Sequence, residues 1–188
     1  MHVLSCDASH CVVGVDSMVL SKILTVLKAN SSSSAGSVGR PGLRVKQVVG
    51  LHIDYANRPE SGRECEYVRQ WCASLGIEFR VRVINEVTRG ITSRDEYEKV
   101  ARDIRYRFYQ DSVSEILQSE LSCDHGDVGV MFGHHIGDVQ ENVISNVMRG
   151  LSPLDLSGMT EASVSNSVLV WRPLLTHSKD DIYHFAHK

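Results

Sequence analysis

Apolar and polar residues are distributed along the chain with the two periods that buried strands and amphipathic helices produce. Continuous apolar runs predict strands at 12–15, 46–54, 127–134 and 169–175, and the alternating segment 77–84 predicts a half-exposed strand. Apolar residues recur at helical spacing within the segments 16–29, 60–76, 93–118 and 138–150, and a further helix is predicted to begin at Ser178. Strands that alternate with helices predict an α/β fold, with a doubly wound, mostly parallel sheet of about five strands and helices on both faces.

Local features refine this outline. Ser61 is predicted to be the N-cap of the second helix and Gly76 to end it. The segment 30–42 is rich in serine and glycine and predicts a flexible linker. The residues before Val12 are few and polar, so no full strand is expected there.

The helix predicted at 138–150 carries an apolar stripe at a spacing of four residues. We expect this stripe to face the core, and its members are Val139, Val143, Val147 and Leu151.

Composition narrows the functional classes. The 188 residues are 42% hydrophobic and 23% charged, as in an ordinary soluble domain, and the net charge of −3 gives no general attraction to polyanions. No apolar run approaches the ~18 residues that a membrane helix needs, and the N-terminus lacks the parts of a secretory signal, so a cytoplasmic location is expected, with an organelle as the alternative. The five cysteines include no C-x-x-C pair, which argues against a disulfide framework or a cysteine-bound metal.

Candidate binding residues follow the predicted strands. In parallel sheets, ligands bind at the carboxyl ends of the strands, so residues 14–17, 54–61, 134–141 and Arg172 are expected around one crevice. Gly14 would let a phosphate approach the following helix closely, and the Ser17 hydroxyl could donate to it. Asp16 would serve as a helix cap or a metal ligand. The alternative is a strand–turn–helix unit with Asp16 as a cap and no ligand.

Two further pairs of residues could bind a ligand or take part in catalysis. Asp138 and Glu141 would share a helix face beside a histidine pair that begins at His134, and could hold a divalent cation against phosphate or orient a nucleophile. The alternative is a solvated first turn whose acids complement the helix dipole. Asp54 and Arg58 suit a ribose or amine and a phosphate, respectively, and a salt bridge within the loop is the alternative.

Arginine and lysine are frequent between Arg80 and Arg107. Acidic residues are interleaved with them, so this stretch is predicted to be mainly an ion-paired helix surface. A track for RNA phosphates is the alternative.

Six segments carry a family resemblance, in the same order as in the family. They are GVDSMVL (14–20), LHIDYANRPES (51–61), ARDIRYRF (101–108), GHHIGDVQENVISNVMRG (133–150), LSGM (156–159) and RPLL (172–175). The first four are similar to the motifs SGGxDS, HVDHxLRPES, ARxxRY and HHxDDxxE…RG. Together they resemble the N-terminal domain of the tRNA(Ile)-lysidine synthase family, within the PP-loop ATP pyrophosphatase superfamily.

This resemblance implies an ATP-dependent ligase. The C2 oxygen of the wobble cytidine of isoleucine tRNA (anticodon CAU) attacks the α-phosphate of ATP and releases pyrophosphate, and the lysine ε-amine then displaces AMP. By motif, the pyrophosphate part of ATP would be held by Gly14, Asp16 and Ser17, and the rest of the nucleotide site would be formed by Asp54, Arg58, His134 and Arg172. Asp138 and Glu141 would bind Mg²⁺ or orient lysine. Arg105 and Arg149, with Arg172, would steady phosphates or RNA.

Departures from the motifs keep other functions open. Val12 and Val13 stand where the family loop has Ser-Gly, and Gly137 replaces an acid. Residues 1–188 are expected to form a single PP-loop domain without the family's C-terminal tRNA-binding domains, and a homodimer is one open arrangement. The alternatives are a weakened nucleotide- or RNA-binding module and another PP-loop enzyme such as a tRNA thiolation enzyme.

Overall fold

The computed structural model describes residues 2–6, 14–33, 45–119, 128–150 and 159–188. Within these ranges, strands and helices alternate along most of the chain. The strands are β1 (His2–Cys6), β2 (Val48–Asp54), β3 (Glu78–Val83), β4 (Val130–Met131), β5 (Ala162–Ser165) and β6 (Val168–Trp171). The helices are α1 (Val15–Ser33), α2 (Ser61–Ser74), α3 (Arg94–Ser119), α4 (Ile136–Met148) and α5 (Lys179–Ala186). No helix in the described ranges is both long and apolar enough to cross a membrane.

All six strands form one sheet in the order β3-β2-β1-β4-β6-β5. Every neighbouring pair is parallel except β5 and β6, which are antiparallel. The chain runs outward from β1 through β2 to β3 and then crosses to β4 on the other side of β1. The direction in which successive strands are added to the sheet therefore reverses between β1 and β4. In α/β sheets, ligands bind at such a switch point.

Helices cover both faces of the sheet, because alternate residues of each buried strand point to opposite sides. Val49, Leu51 and Ile53 of β2 pack with α3 in one core cluster, in which Tyr109 is completely buried. Val48 packs on the opposite face in a second cluster with residues of α1, α2 and α5. The predicted doubly wound α/β fold is confirmed, with six strands where about five were expected.

The position of the first strand was predicted wrongly. The strand next to α1 is β1, at His2–Cys6, whereas Gly14 is irregular and Val15 is already helical. Val12 and Val13 lie outside the described residues. The polar composition of β1 misled the prediction, because pairing with both β2 and β4 decides its conformation rather than side-chain hydrophobicity.

Two helix boundaries also differ from the prediction. Ser61 is the first helical residue of α2, and its N-cap is Glu60, which makes no side-chain capping bond. Gly76 follows the end of the helix with φ of +64°, the left-handed conformation that glycine adopts most easily. Helix α1 continues to Ser33, so the start of the predicted linker is helical, and residues 34–42 lie outside the described ranges.

The apolar stripe of α4 does not face the core. No residue of this helix is buried among the described residues, and the Val147 side chain is 53% exposed. Val139 and Val143 are half-buried, and Leu151 lies outside the described ranges. Helical periodicity identifies an apolar face but does not show whether the sheet lies beneath it, and neither core cluster includes a residue of α4.

Candidate active site

Helices α1 and α4 begin next to each other at the β1–β4 crevice, the place where the sheet changes direction. In the first turn of α1, the carbonyl of Gly14 accepts hydrogen bonds from the amides of Ser17 (3.1 Å) and Met18 (3.3 Å). Gly133, which follows β4, contacts the same turn so closely that a Cβ there would lie 3.0 Å from the amide nitrogen of Ser17. The structure therefore brings residues 14–17 and 133–138 together, as predicted.

A lysine from the far end of the chain completes this cluster. The Lys179 ammonium lies 3.0 Å from Oδ2 of Asp16, whose side chain is only 18% exposed. Oδ1 of Asp16 is buried and has no hydrogen-bond partner among the described residues. Partial burial lowers the pKa of Lys179, but the hydrogen bond and charge of Asp16 outweigh this effect, so its pKa lies above the ordinary value. Lys179 is therefore protonated at neutral pH.

The sequence pattern did not mark Lys179 as a site residue. It predicted a helix start at Ser178, and Ser178 is the N-cap of α5, whose capping box joins its backbone amide and hydroxyl to Asp181. This Ser-x-x-Asp pattern in the segment after β6 predicts the start of α5, and Lys179 is the first residue of that helix.

The first turn of α4 is fixed by a second capping box. His135 is the N-cap; its Nδ1 accepts a hydrogen bond from the amide of Gly137 (2.9 Å), and its own amide donates to Oδ2 of Asp138 (2.7 Å). The Asp138 carboxylate also contributes to the raised pKa of Lys179, so its charge acts on the same cluster. Glu141 lies one turn further along and is exposed.

Asp138 and Glu141 fit Mg²⁺ only in combination with phosphate. The described residues contain no group of three histidine, cysteine or acidic side chains arranged to hold a metal ion. Mg²⁺, however, is commonly bound by one or two carboxylates together with substrate phosphates and water. The capping bond uses Oδ2 of Asp138, which leaves its Oδ1 and the Glu141 carboxylate as metal ligands. These few ligands suit a metal ion that is also bound by the phosphates of a nucleotide.

On the α3 side of the crevice, two predicted residues contact the same aromatic ring. His134 stacks on Phe132, with the ring centroids 5.2 Å apart, and the Arg172 guanidinium lies 6.0 Å from the centre of that ring. Burial lowers the pKa of Arg172. Its Nη1 donates to the carbonyl of Thr160 and to Oγ of Ser163, which hold the guanidinium in place.

Asp54 and Arg58 make separate local contacts. Asp54 is buried, and its Oδ1 accepts a hydrogen bond from the amide of Ala56 at 2.8 Å. Arg58 forms a salt bridge of 3.0 Å with Glu64 at the start of α2. For Arg58, the structure thus favours the alternative of an ion pair that stabilises the loop.

Arg105 and Arg149 lie away from the cluster around Asp16. Arg105 donates to the hydroxyl of Tyr55 at 3.2 Å, on the α3 side of the sheet. Arg149 is the C-cap of α4, roughly 16 Å along that helix from Asp138. Its charge acts on Glu98 of α3, whose pKa is lowered mainly by the hydrogen bond and charge of Arg94 and further by Arg149. The structure therefore separates Arg149 from the crevice.

The basic stretch between Arg80 and Arg107 is ion-paired in part, through Arg80 and Arg82 of β3 and Arg94 of α3. Its salt bridges join Arg80 to Glu78 and Glu115, Arg82 to Glu86, and Arg94 to Glu98.

Solved structures with the same fold include two enzymes. The U34-tRNA thiolase NcsA from Methanococcus maripaludis superposes over 99% of this chain and 56% of its own, with a TM-score of 0.65 and 15% identity. The NH3-dependent NAD synthetase from Campylobacter jejuni superposes over 99% of this chain and 62% of its own, with a TM-score of 0.52 and 14% identity. At these identities, the likeness is one of fold alone.

Curated relatives at higher identity share one name. The chain is 31% identical to the tRNA(Ile)-lysidine synthase of Nitratidesulfovibrio vulgaris over 180 residues, which are 94% of this chain and 45% of the relative. It is 26% identical to the synthase of the same name from Thermotoga maritima over 175 residues, which are 93% of this chain and 36% of the relative. The chain thus spans less than half the length of these relatives.

The family model of the PP-loop domain matches residues 11–188, which include the first turn of α1, the start of α4 and Lys179. The chain therefore belongs to the PP-loop domain family.

Proposed function

We propose that this chain is an ATP-dependent tRNA-modifying ligase of the lysidine-forming type. The observation that carries the proposal is the convergence of the α1 N-terminus, the Gly133 backbone and the Lys179 ammonium at the β1–β4 crevice. This arrangement suits the phosphates of a nucleotide, and the curated relatives named tRNA(Ile)-lysidine synthase support the choice of reaction.

The first turn of α1 is an electrostatically favourable position for the phosphates of ATP. The N-terminus of a helix carries partial positive charge, and the first turn of α1 lies directly against the backbone of Gly133. Lys179 adds a full positive charge. An incoming phosphate would compete with Asp16 for the ammonium of Lys179, so we expect this lysine to bind the pyrophosphate part of ATP.

The proposed reaction has two steps. The C2 oxygen of the wobble cytidine attacks the α-phosphorus of ATP, and the bond from that phosphorus to the pyrophosphate oxygen breaks. The ε-amine of lysine then attacks C2, AMP leaves with the former C2 oxygen, and the amine loses its extra protons. Lys179 and the α1 N-terminus would stabilise the charge on the leaving pyrophosphate. Asp138 and Glu141 would hold Mg²⁺, which supplies further neutralisation of the phosphate charge, or would orient the amine.

Mass spectrometry of tRNA nucleosides tests this function. Isoleucine tRNA with the CAU anticodon is incubated with protein, ATP, Mg²⁺ and lysine, and the digested nucleosides are searched for a lysine adduct of cytidine. We expect the adduct with the wild type, and at least a tenfold loss with Asp138→Ala, which removes a carboxylate from the crevice. Asp180→Ala is the matched control, because Asp180 is exposed in the first turn of α5.

The outcomes separate the candidate functions. Absence of the adduct at saturating substrates would overturn the ligase proposal. If ATP and RNA still bind in that case, the weakened binding module becomes the better account of this chain.

A further inference from the structure

A second concave site lies on the α3 side of the sheet. A cavity of about 880 Å³ opens between the loop after β2, the loop after β3 and the first half of α3. We call it the arginine cavity, because its walls include Arg89, Arg94, Arg102 and Arg105. Its volume is near the upper end of the ~300–1,000 Å³ that small-molecule sites span, so it is large enough for an extended ligand.

The charge of the arginine cavity departs from that of the whole chain, which carries a net charge of −3. Four arginines line the cavity with one acidic residue, Glu98, and Arg94 is paired with that residue at 2.9 Å. Among the described residues, Arg89 and Arg102 have no salt-bridge partner. A local excess of positive charge on a chain that is acidic overall indicates an anionic ligand.

Two tyrosines, Tyr55 and Tyr97, also line the arginine cavity; both pack partly against the core, and hydrogen bonds hold both. The hydroxyl of Tyr97 is bonded to the side-chain amide of Asn57 at 2.8 Å, and the hydroxyl of Tyr55 accepts from Arg105 at 3.2 Å. Tyrosine rings fixed beside arginine guanidinium groups are the combination that binds single-stranded nucleic acid, because the rings stack on bases and the cations contact phosphates.

A row of side chains leads from the cavity towards the β1–β4 crevice. The guanidinium groups of Arg102 and Arg105 lie 4.9 and 5.8 Å from the ring centre of Tyr106. Tyr106 in turn acts electrostatically on Arg172, which lies over the ring of Phe132 at the crevice. The α3 wall of the arginine cavity is thus linked through Tyr106 to the residues on the α3 side of the crevice.

We infer that the arginine cavity binds a single-stranded segment of the RNA substrate, with Arg89 and Arg102 on phosphates and Tyr55 and Tyr97 against bases. The inference rests on the proposed function, since it assigns the RNA of that reaction to a surface separate from the phosphate site at α1. It predicts that RNA and ATP affinities respond to different residues.

Fluorescence anisotropy tests the inference. A labelled anticodon-arm hairpin with a single-stranded CAU loop is titrated with the full chain at several salt concentrations, and ATP binding is measured separately by calorimetry. For Arg102→Gln, we expect about tenfold weaker hairpin binding and a decrease of about 0.7 in the slope of log affinity against log salt, as for one lost phosphate contact to a single strand. ATP affinity should remain unchanged. Arg107→Gln is the matched control, because Arg107 is exposed on the same helix and does not line the cavity.

A second pair of variants tests the aromatic wall. Tyr97→Phe keeps the ring and should retain hairpin affinity, whereas Tyr97→Leu should lose about tenfold. A blunt RNA duplex of the same length should bind more weakly than the hairpin. Its affinity should be nearly the same for Tyr97→Phe and Tyr97→Leu as for the wild type.

Several results would overturn the inference. They are an unchanged hairpin affinity and salt slope in Arg102→Gln, an equal loss in Arg107→Gln, and a dependence of ATP or free lysine binding on Arg102 while RNA binding is unaffected. Failure of the wild type to bind the hairpin would also overturn it. None of these results would contradict ATP binding at α1 or formation of the lysine adduct. The proposed function is therefore tested separately, by the nucleoside analysis.

Discussion

At the scale of single residues, the crevice is defined by charges that are held in place before any ligand binds. Lys179 is paired with Asp16, and Asp138 is fixed by the backbone of His135. Because these side chains already have partners, little conformational entropy remains to be lost when a phosphate binds. Oδ1 of Asp16, buried without a hydrogen bond among the described residues, can be satisfied only by a hydrogen-bond donor or a cation, which an ionised phosphate alone does not supply.

The buried side chain of His52 should make the stability of the fold depend on pH. This side chain is 4% exposed, and burial lowers its pKa from the ordinary value of 6.5, although the charges of Asp54 and Glu64 partly oppose the shift. The unfolded chain therefore takes up a proton near pH 6.5 that the folded chain resists. Stability is complete above pH 6.5 and should fall below it by up to ~1.4 kcal/mol per pH unit, until the folded-state pKa is reached.

Urea unfolding at pH 7.5 and pH 5.5 checks this prediction. His52→Leu removes the titrating group and should flatten the dependence on pH, whereas His184→Gln, a change at an exposed histidine of α5, should leave it as in the wild type. An equal loss of stability at pH 5.5 in the wild type and His52→Leu would show that another group is responsible.

At the scale of elements, the short strand β4 is placed by close packing against β6. A Cβ on Gly129 would lie 2.8 Å from the backbone carbonyl oxygen of Leu169 and 2.8 Å from the Trp171 ring. Gly129→Ala should therefore force the two strands apart and destabilise the fold by about 1–3 kcal/mol, measured as the free energy of unfolding in urea.

Gly62→Ala is the matched control for this substitution. Gly62 lies in α2 with nothing within 4 Å of its Cβ position, so alanine should be neutral or stabilise the fold by less than ~1 kcal/mol. Equal effects of the two substitutions would contradict the close approach of β4 and β6.

The elements differ in how well the sequence predicted them. Helix α3 and strand β2 were predicted closely, because α3 has a long helical period and the apolar run of β2 is short and flanked by polar turns. Strand β5, with the sequence Ala-Ser-Val-Ser, was missed because an edge strand needs few apolar residues. Strand β1 was misplaced because its conformation depends on two neighbours that are distant in sequence.

At the scale of the whole molecule, the topology explains which site residues could be predicted. Residues 14–17 and 134–138 follow the adjacent strands β1 and β4, so the rule for parallel sheets was enough to bring them together. Lys179 reaches the same place through the packing of α5 on α1, which no local pattern encodes. Arg149, which the family motif assigns to phosphates or RNA, is the C-cap of α4 and lies at the opposite end of that helix from Asp138.

The proposed reaction requires that the β1–β4 crevice bind the phosphates of ATP with Lys179 as a ligand. Calorimetric titration of the wild type with ATP and Mg²⁺ tests it most directly, beside Lys179→Met, the charge-preserving Lys179→Arg, and Lys22→Met at an exposed position on α1. Thermal melting of each variant verifies the fold.

We predict that ATP binds the wild type and Lys22→Met equally and that Lys179→Arg retains most of the affinity. Lys179→Met should bind ATP about tenfold or more weakly, as for a lost charge-assisted hydrogen bond. Absence of ATP binding by the wild type, or equal affinity in a folded Lys179→Met variant, would contradict the account.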